Sequence, residues 1–262
     1  MKKNKIIKKS TLITGGSGYI GSCLAASLYE KYRVFTLDKN PKNIFLNKKI
    51  KHIKCDLNNK IKLKKIIKSI NPSTIIHLAA QSTIDMIEKN RNKYFLNNLV
   101  ATKKLIKITK DLNINKFIFA STASVYNEDL LPLSENSVLK PNNLYGSTKL
   151  INEKSIIKNF KKSKTKYCIL RFFNVVSALK KKRLGEFHSP ETHLVPVVIN
   201  SLFNNKKIIV YGKNYSTKDG TCLRDYIHIK DIIIGIIKSI DHLDKNKSNI
   251  FNLGSGRARS VL

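Results

Sequence analysis

The run Thr14-Gly15-Gly16-Ser17-Gly18-Tyr19-Ile20-Gly21 follows the apolar pair Leu12-Ile13 and precedes a helical stretch, so the backbone must turn there from strand to helix. Gly16, Gly18 and Gly21 fit the G-x-G-x-x-G spacing. One glycine serves the tight turn, one lets the backbone approach a pyrophosphate, and one lets helix and strand pack closely. The helix start beyond them presents unpaired N–H groups and a positive dipole end to an anion. Such a turn also occurs at unrelated strand–helix junctions, so its context decides. Arg33-Val34-Phe35-Thr36-Leu37 reads as a second strand ending on Asp38. That is about 20 residues beyond the glycines, where an acid holds adenosine ribose hydroxyls. The pattern predicts a dinucleotide site on Gly15, Gly16, Gly18, Tyr19, Ile20, Gly21 and Asp38. Asp38 favours NAD, because a carboxylate repels the extra phosphate of NADP, and Lys39 beside it softens that preference.

Apolar, β-rich runs recur at Leu12–Thr14, Val34–Leu37, Ile50–Ile53, Thr74–His77, Lys116–Ala120, Tyr167–Arg171 and Ile250–Leu253. Between them, Ile61–Ile70 and Leu99–Leu112 place Ile and Leu at helical spacing with lysines on the other face. Alternation of this kind predicts an α/β fold, a doubly wound parallel sheet of Rossmann type covered on both faces. The pattern changes after Asn174: Val175–Lys247 holds a loop with Gly185 and Pro190, a helix over Leu194–Phe203, a short strand over Lys207–Tyr211 and a turn-rich Asn214–Gly220. The expected division is a dinucleotide-binding domain over 1–174 and a smaller, incomplete substrate lobe over 175–262, from which 250–253 return to the sheet.

With 262 residues and 42% hydrophobic content the chain can bury one large core or a core plus a lobe. Cys23, Cys55, Cys168 and Cys222 lie far apart without a C-x-x-C pair, which fits core thiols in a reducing compartment. Met1–Lys9 is basic but lacks the apolar core of an export signal, and Ile232–Ile237 is too short to span a bilayer. A soluble cytoplasmic protein is expected, without a membrane partner. The net charge of +33 comes from 50 Lys+Arg against 17 Asp+Glu. Lysines are spread over nearly every surface, without the clustered arginines and interleaved aromatics of a nucleic-acid reader, so no specific nucleic-acid partner is expected.

Tyr145 and Lys149 are four apart in Tyr145-Gly146-Ser147-Thr148-Lys149, one face of a helix. A phenol is a poor base at neutral pH, and a neighbouring ammonium is expected to lower its pKa. The strand Lys116–Ala120 runs into Ser121-Thr122-Ala123-Ser124-Val125-Tyr126, hydroxyls at the carboxyl edge of a parallel sheet, where ligands of such folds sit. Ser121 and Ser124 can also simply cap the turn, and Arg224 can simply pair with Asp225. His77 reads as a packed, hydrogen-bonded core histidine, and His188 and His193 lack metal-ligand spacing, so no metal is expected.

Together these residues resemble the extended short-chain dehydrogenase/reductase family, and within it the branch that epimerises nucleotide sugars. The resemblance runs from about Thr11 to the last residue. It rests on the Thr14–Gly21 loop, Asp56-Leu57, His77-Leu78-Ala79-Ala80, Asn97, Ser121–Tyr126, Tyr145/Lys149 and Leu170-Arg171-Phe172-Phe173-Asn174. Glu191-Thr192-His193-Leu194-Val195-Pro196, Lys218-Asp219-Gly220-Thr221, Arg224-Asp225-Tyr226-Ile227-His228 and Asn252-Leu253-Gly254 extend it. The resemblance implies that Asp56 and Leu57 flank an adenine, that Leu78, Ala79 and Ala80 lie along the diphosphate and ribose, and that Asn97 and Phe173 also meet the cofactor, NAD. It further implies Tyr145 as acid/base, Lys149 on the nicotinamide ribose, and Thr122 on the reacting sugar hydroxyl. Ser124, Asn174, Leu194, Tyr211 and Arg224 would contact a UDP-sugar. The implied reaction interconverts UDP-glucose and UDP-galactose by oxidation at C4 to a ketone and reduction on the opposite face, in a homodimer.

Two departures stand beside the resemblance. Family members continue for some tens of residues beyond the strand matching Ile250–Leu253, a portion that supplies a second diphosphate-binding arginine and walls of the sugar pocket. On that ground cofactor binding is expected more firmly than turnover, and apolar segments at Leu194–Phe203 and Ile208–Tyr211 are expected to be exposed. Asn127 stands where the family usually has glycine. Ala123 and Ser124, where a 4,6-dehydratase needs an acid, disfavour that chemistry. The alternatives are another UDP-sugar 4-epimerase or a catalytically impaired NAD-binding fragment.

Overall fold

A computed structural model of the chain describes residues 8–41, 47–82, 90–127, 131–186 and 191–262. Met1–Ile7, His188 and Pro190 lie outside the described residues. The strands are β1 (Ser10–Thr14), β2 (Arg33–Asp38), β3 (Ile50–Lys54), β4 (Thr74–His77), β5 (Lys116–Thr122), β6 (Lys166–Phe172), β7 (Asn174–Val176), β8 (Leu223–His228), β9 (Asn249–Leu253) and β10 (Ala258–Ser260). The helices are α1 (Tyr19–Leu28), α2 (Lys60–Ile70), α3 (Arg91–Phe95), α4 (Ala101–Asp111), α5 (Leu144–Phe160), α6 (Leu194–Phe203) and α7 (Ile229–Lys245), with a π-helical turn, Leu96–Val100, joining α3 to α4.

Seven strands pair in parallel in the order β3-β2-β1-β4-β5-β6-β9. Both faces are buried because side chains alternate along each strand. Ile13, Ile76 and Ile118 point toward α1 and α7. Their neighbours Leu12, Ile75, Phe117 and Phe119 point toward α2, α4 and α5. Leu63 and Ile67 anchor α2 while its lysines stay in water, and the helix is capped by Asn59, which accepts from Lys62 N at 3.0 Å, and by Asn71 in the left-handed region. From β1 the chain passes to β2 on one side, while β4 lies on the other, so a crevice opens over the carboxyl ends of β1 and β4.

The remaining strands form a small sheet, β10-β8-β7. Two features of this half differ from the sequence reading. Ile229, Ile232, Ile233, Ile236, Ile240 and Leu243 of α7, expected within the lobe, join the main core against α1. The strand expected over Lys207–Tyr211 is absent; Ile209 and Tyr211 are 69% and 85% exposed. A β-prone run has no strand ladder unless a neighbour offers one, and none of the described strands lies against it. Phe203, 87% exposed, shows that α6 also carries apolar surface in water. All four cysteines are free, three of them buried.

Candidate active site

The tight turn of the glycine loop falls on Gly15, not on Gly16 as its spacing suggested: Gly15 has φ +72°, the left-handed region that favours glycine. A Cβ there would lie 2.7 Å from Ala79 N, so the residue also lets the loop pass over the end of β4. At Gly21 a Cβ would stand 2.1 Å from Gly15 O, which makes it the contact between α1 and the loop. Gly16 abuts the Thr36 side chain of β2. Gly18 is different. Its Cβ position meets only Gly15 O, at 3.3 Å, and its free side faces a cleft it shares with Gly15, Asp38, Asp56, Leu57, Leu78, Ala79, Ala80 and Asn97. Every cleft residue just named was expected from the sequence or its resemblance; Leu37, Lys39, Cys55 and Ala101 complete the wall.

Asp38 ends β2 at the mouth of this cleft, and its carboxylate is oriented by two backbone donors, Ser17 N at 3.2 Å and Asn40 N at 3.1 Å. Tyr19 and Ile20 open α1 just above the glycines. The Tyr19 hydroxyl donates to the Ser177 carbonyl, which ties the loop to the segment after β7. Ser177 is held at φ +82°.

Beneath the cleft His77 is buried, with both ring nitrogens bonded as expected. Thr102 gives its hydroxyl proton to Asn98 O at 2.8 Å, so at 2.9 Å it accepts from His77 Nε2–H, and Nδ1 accepts from Thr14 at 2.6 Å. Burial first, and Lys149 second, push the imidazole pKa down to about 3. Asn98 was missed by the sequence reading. On the π-turn, its side chain accepts from Gln81 N at 2.8 Å and donates to Gln81 O at 2.9 Å, pinning the segment that follows Ala80. Asn97 beside it reaches the Gln81 side chain at 3.2 Å. A π-turn inside a helix is itself a common mark of a functional site.

At the carboxyl end of β5, Thr122 Oγ1 accepts from Ser124 N at 3.2 Å and lies 3.4 Å from the Ser124 hydroxyl. Asn143 caps α5 through Gly146 N at 2.8 Å. Gly146 sits where a Cβ would be 2.1 Å from Ser124 O, so this glycine lets Tyr145 settle against the hydroxyl cluster. Tyr145 is partly buried, with Tyr94 near its hydroxyl. Lys149 is buried, its Nζ donating to Ala120 O at 2.6 Å and standing 4.8 Å from the Phe119 ring and 5.6 Å from that of Tyr145. The expected lowering of the Tyr145 pKa is not found. Burial raises it, Tyr94 adds to the rise, and Lys149, itself brought down to about 8 by burial, does not offset them.

The substrate-side residues lie apart from the cleft wall. Asn174 on β7 donates to Asp225 O at 3.1 Å, and Phe173, bonded to Leu253 O at 3.0 Å, packs against Gly254. Arg224 donates to Leu223 O at 2.8 Å. The bland alternative for Arg224 fails, because the Asp225 carboxylate instead takes Ser255 N, the Ser255 hydroxyl and Gly256 N, at 2.7–2.8 Å. Leu194 opens α6, and Tyr211 lies in the exposed segment after it. His193 Nδ1 stands 2.8 Å from Glu186, which raises its pKa, and no group of three metal-ligating side chains occurs among the described residues. Asn127 has no positive φ and donates its N–H to Val138 O at 2.9 Å, so glycine is not required there.

A glycine-loop cleft beside a Tyr–Lys pair at the end of the fifth strand defines a dinucleotide-dependent site of the short-chain dehydrogenase/reductase class. Over residues 11–254 the chain matches the NAD dependent epimerase/dehydratase family, and it belongs to that family. It is 35% identical over 255 residues to a UDP-glucose 4-epimerase of Halalkalibacterium halodurans, covering 95% of this chain and 76% of the relative. A crystal structure of a UDP-glucose 4-epimerase superposes with a TM-score of 0.90 at 34% identity, over 97% of this chain and 79% of the other. The structure of the Bifidobacterium longum UDP-glucose 4-epimerase in complex with NAD+ and UDP gives 0.87 at 30% identity, over 97% and 80%.

Proposed function

We propose that the chain is an NAD-dependent UDP-glucose 4-epimerase, interconverting UDP-glucose and UDP-galactose. The observation that carries the reading is the Tyr145–Lys149 pair docked on the end of β5, with Lys149 bonded to Ala120 O and Gly146 against Ser124 O beside Thr122, one strand from the cleft walled by Gly15, Gly18 and Asp38. The cleft suits a dinucleotide: the bare side of Gly18 faces it, and the Asp38 carboxylate is held at its mouth. Gly15, Gly18, Asp38, Asp56, Leu57, Leu78, Ala79, Ala80 and Asn97 would hold NAD, with Lys149 and Phe173 toward the nicotinamide. NAD+, when bound, supplies a reversible hydride acceptor, so that C4 is oxidised to a ketone and reduced on its other face with no net redox change.

The chain's own residues supply the proton and the grip. Tyr145 would take the O4 proton as C4 is oxidised and return it as the ketone is reduced; burial favours its phenol form, and the Lys149 ammonium near its ring favours the phenolate that accepts the proton. Thr122, its hydroxyl accepting from Ser124 N, would bond the sugar. Asn174, Leu194, Tyr211 and Arg224 form the UDP-sugar side, and we assign substrate binding to the 175–262 portion. The exposed Leu96, Val100 and Ile151, on helical elements packed together, support a homodimer. The free cysteines support a cytoplasmic location, and no helix among the described residues is long and apolar enough to cross a membrane.

Incubation with NAD+ and UDP-galactose, followed by proton NMR, should yield UDP-glucose. Tyr145→Phe should lower the rate by roughly 10²–10⁴-fold while NAD still binds. Bound NAD without conversion would refute epimerisation, and a wild-type rate in Tyr145→Phe would move the proton to another residue.

A further inference from the structure

Tyr145, Lys149 and Glu153 follow one another at four-residue spacing on α5, so one helix face carries all three. Sequence reasoning uses the first two and leaves Glu153 without a task. The structure gives it a conspicuous environment. Glu153 is 1% exposed, and Arg171, 2% exposed on β6, grips both its oxygens: Nε to Oε1 at 3.1 Å and Nη2 to Oε2 at 2.7 Å. The Ser121 hydroxyl donates to Oε1 as well. Three charge-assisted bonds fix the carboxylate in place. Three successive residues of β5 thus have three partners: Ala120 O receives Lys149, the Ser121 hydroxyl goes to Glu153, and the Thr122 hydroxyl faces Ser124.

The clamp extends across the sheet. Arg171 lies in register between Ser121 on β5 and Asn252 on β9. Its Nη1 donates to the Tyr126 hydroxyl at 2.7 Å, which donates to Asn252 Oδ1 at 2.6 Å, and Asn252 N donates to Glu135 at 2.8 Å. Lys149 has no such clamp. Around its ammonium stand the Phe119 ring and Ala120 O on β5, Tyr145 and Glu153 on its own helix, and His77 on β4, while Tyr94 on α3 faces Tyr145. Tyr145 and His77 are both held in their neutral forms by burial. Glu153 is the carboxylate that works against the burial of Lys149.

We propose that Glu153 is a positioning residue for the reaction: clamped by Arg171 and Ser121, it gives the buried Lys149 ammonium its counter-charge, and so acts on Tyr145 through Lys149 without touching substrate. The proposal rests on the epimerase reading only for its kinetic consequence. Its electrostatic core is a property of the folded chain. Without the carboxylate, the buried Lys149 loses its opposing charge one turn along α5 and the buried Arg171 loses its partner. Lys149 is the one that gives up its proton, because Arg is effectively always charged.

The test follows the Lys149 side chain and the Glu153 carboxylate carbon by NMR as pH rises through the Lys149 midpoint, about 8. In Glu153→Gln the Lys149 midpoint should fall by about one unit or more, a tenfold loss of proton affinity. In Glu153→Asp, which keeps the charge, it should stay near the wild-type value. In the wild-type chain the Glu153 carbon should show an inflection at the Lys149 midpoint. The alkaline limb of UDP-galactose conversion should shift down with the lysine in Glu153→Gln and return in Glu153→Asp. Asp244→Asn, which breaks the 2.6 Å Lys116–Asp244 pair at the other end of β5, should leave both midpoint and limb in place. An unmoved Lys149 midpoint in Glu153→Gln overturns the proposal. So does a featureless Glu153 carbon in the wild type, which decides the matter even if Glu153→Gln does not fold. These titrations need no turnover, so a chain that passes them but leaves UDP-galactose unchanged refutes the functional reading and leaves the role of Glu153 standing.

Discussion

Replacing His77 by glutamine should flatten the acid limb of the protein's stability. The imidazole ends β4 directly below the cleft, between Thr14, which leads into the glycine loop, and Thr102, which bonds the Asn98 carbonyl. In the unfolded chain a histidine takes up a proton around pH 6.5, whereas in the fold this one refuses it until about 3. A depressed folded-state pKa gives stability that is present above the unfolded value and is lost as pH falls through the window between the two. At two units below the unfolded value the loss is about 2.7 kcal/mol, from 1.36 kcal/mol per unit. That is a large share of the roughly 5–15 kcal/mol that holds a typical domain together. Urea unfolding at about pH 7 and about pH 4.5 measures it. Carboxylates contribute to acid unfolding in both proteins, so the informative quantity is the difference: wild type should lose about 2.6 kcal/mol more than His77→Gln. Glutamine can accept from Thr14 and donate to Thr102, which limits the cost at neutral pH. Equal losses in the two proteins would mean that His77 takes up its proton without unfolding, and that its two hydroxyl partners do not enforce neutrality.

Gly18→Val should fold, since a Cβ at this position meets only Gly15 O at 3.3 Å, yet it should lose NAD binding by filling the bare side of the cleft. Calorimetric titration with NAD+ checks it, and an unchanged affinity in the folded variant would remove the dinucleotide from this loop. Ser177→Gly should raise stability by roughly 0.5–1 kcal/mol, because φ +82° strains a residue with a Cβ. A lower urea midpoint for this variant would show that the serine side chain outweighs that strain.

Most of the sheet was legible because its strands are buried on both faces and therefore read as continuous Val, Ile and Phe runs. Lys116–Ala120 is such a run, and it extends by two residues in the structure to Thr122. Where local pattern is ambiguous, packing decides. Ile232–Ile237 is apolar on nearly every side and carries no sign of its partner; only the tertiary structure seats α7 against α1 in the main core. Lys207–Tyr211 fails for the opposite reason, since its β-prone residues meet no edge that could pair with them. Spacing alone favours Gly16 as the turn of the glycine loop, while the backbone puts the positive φ at Gly15.

The candidate site divides along a different line. Side chains that form it by local spacing were found, as Tyr145 and Lys149 were from one helical turn. Side chains that act across the sheet were not, because a buried Arg171 or Asn98 looks like any other polar residue in a chain that is 26% charged. The same division explains the Tyr145 pKa. The neighbouring ammonium could be read from the sequence and argued for a lower value, but the burial that overrides it, and Tyr94, which adds to the rise from a helix some 50 residues upstream, come only with the fold. Once folded, the phenol and the ammonium are both pushed toward their neutral forms by the same desolvation. A buried ammonium in that condition needs a nearby fixed negative charge to favour its ionised state, and Glu153, held by Arg171, is the carboxylate one turn away that provides it.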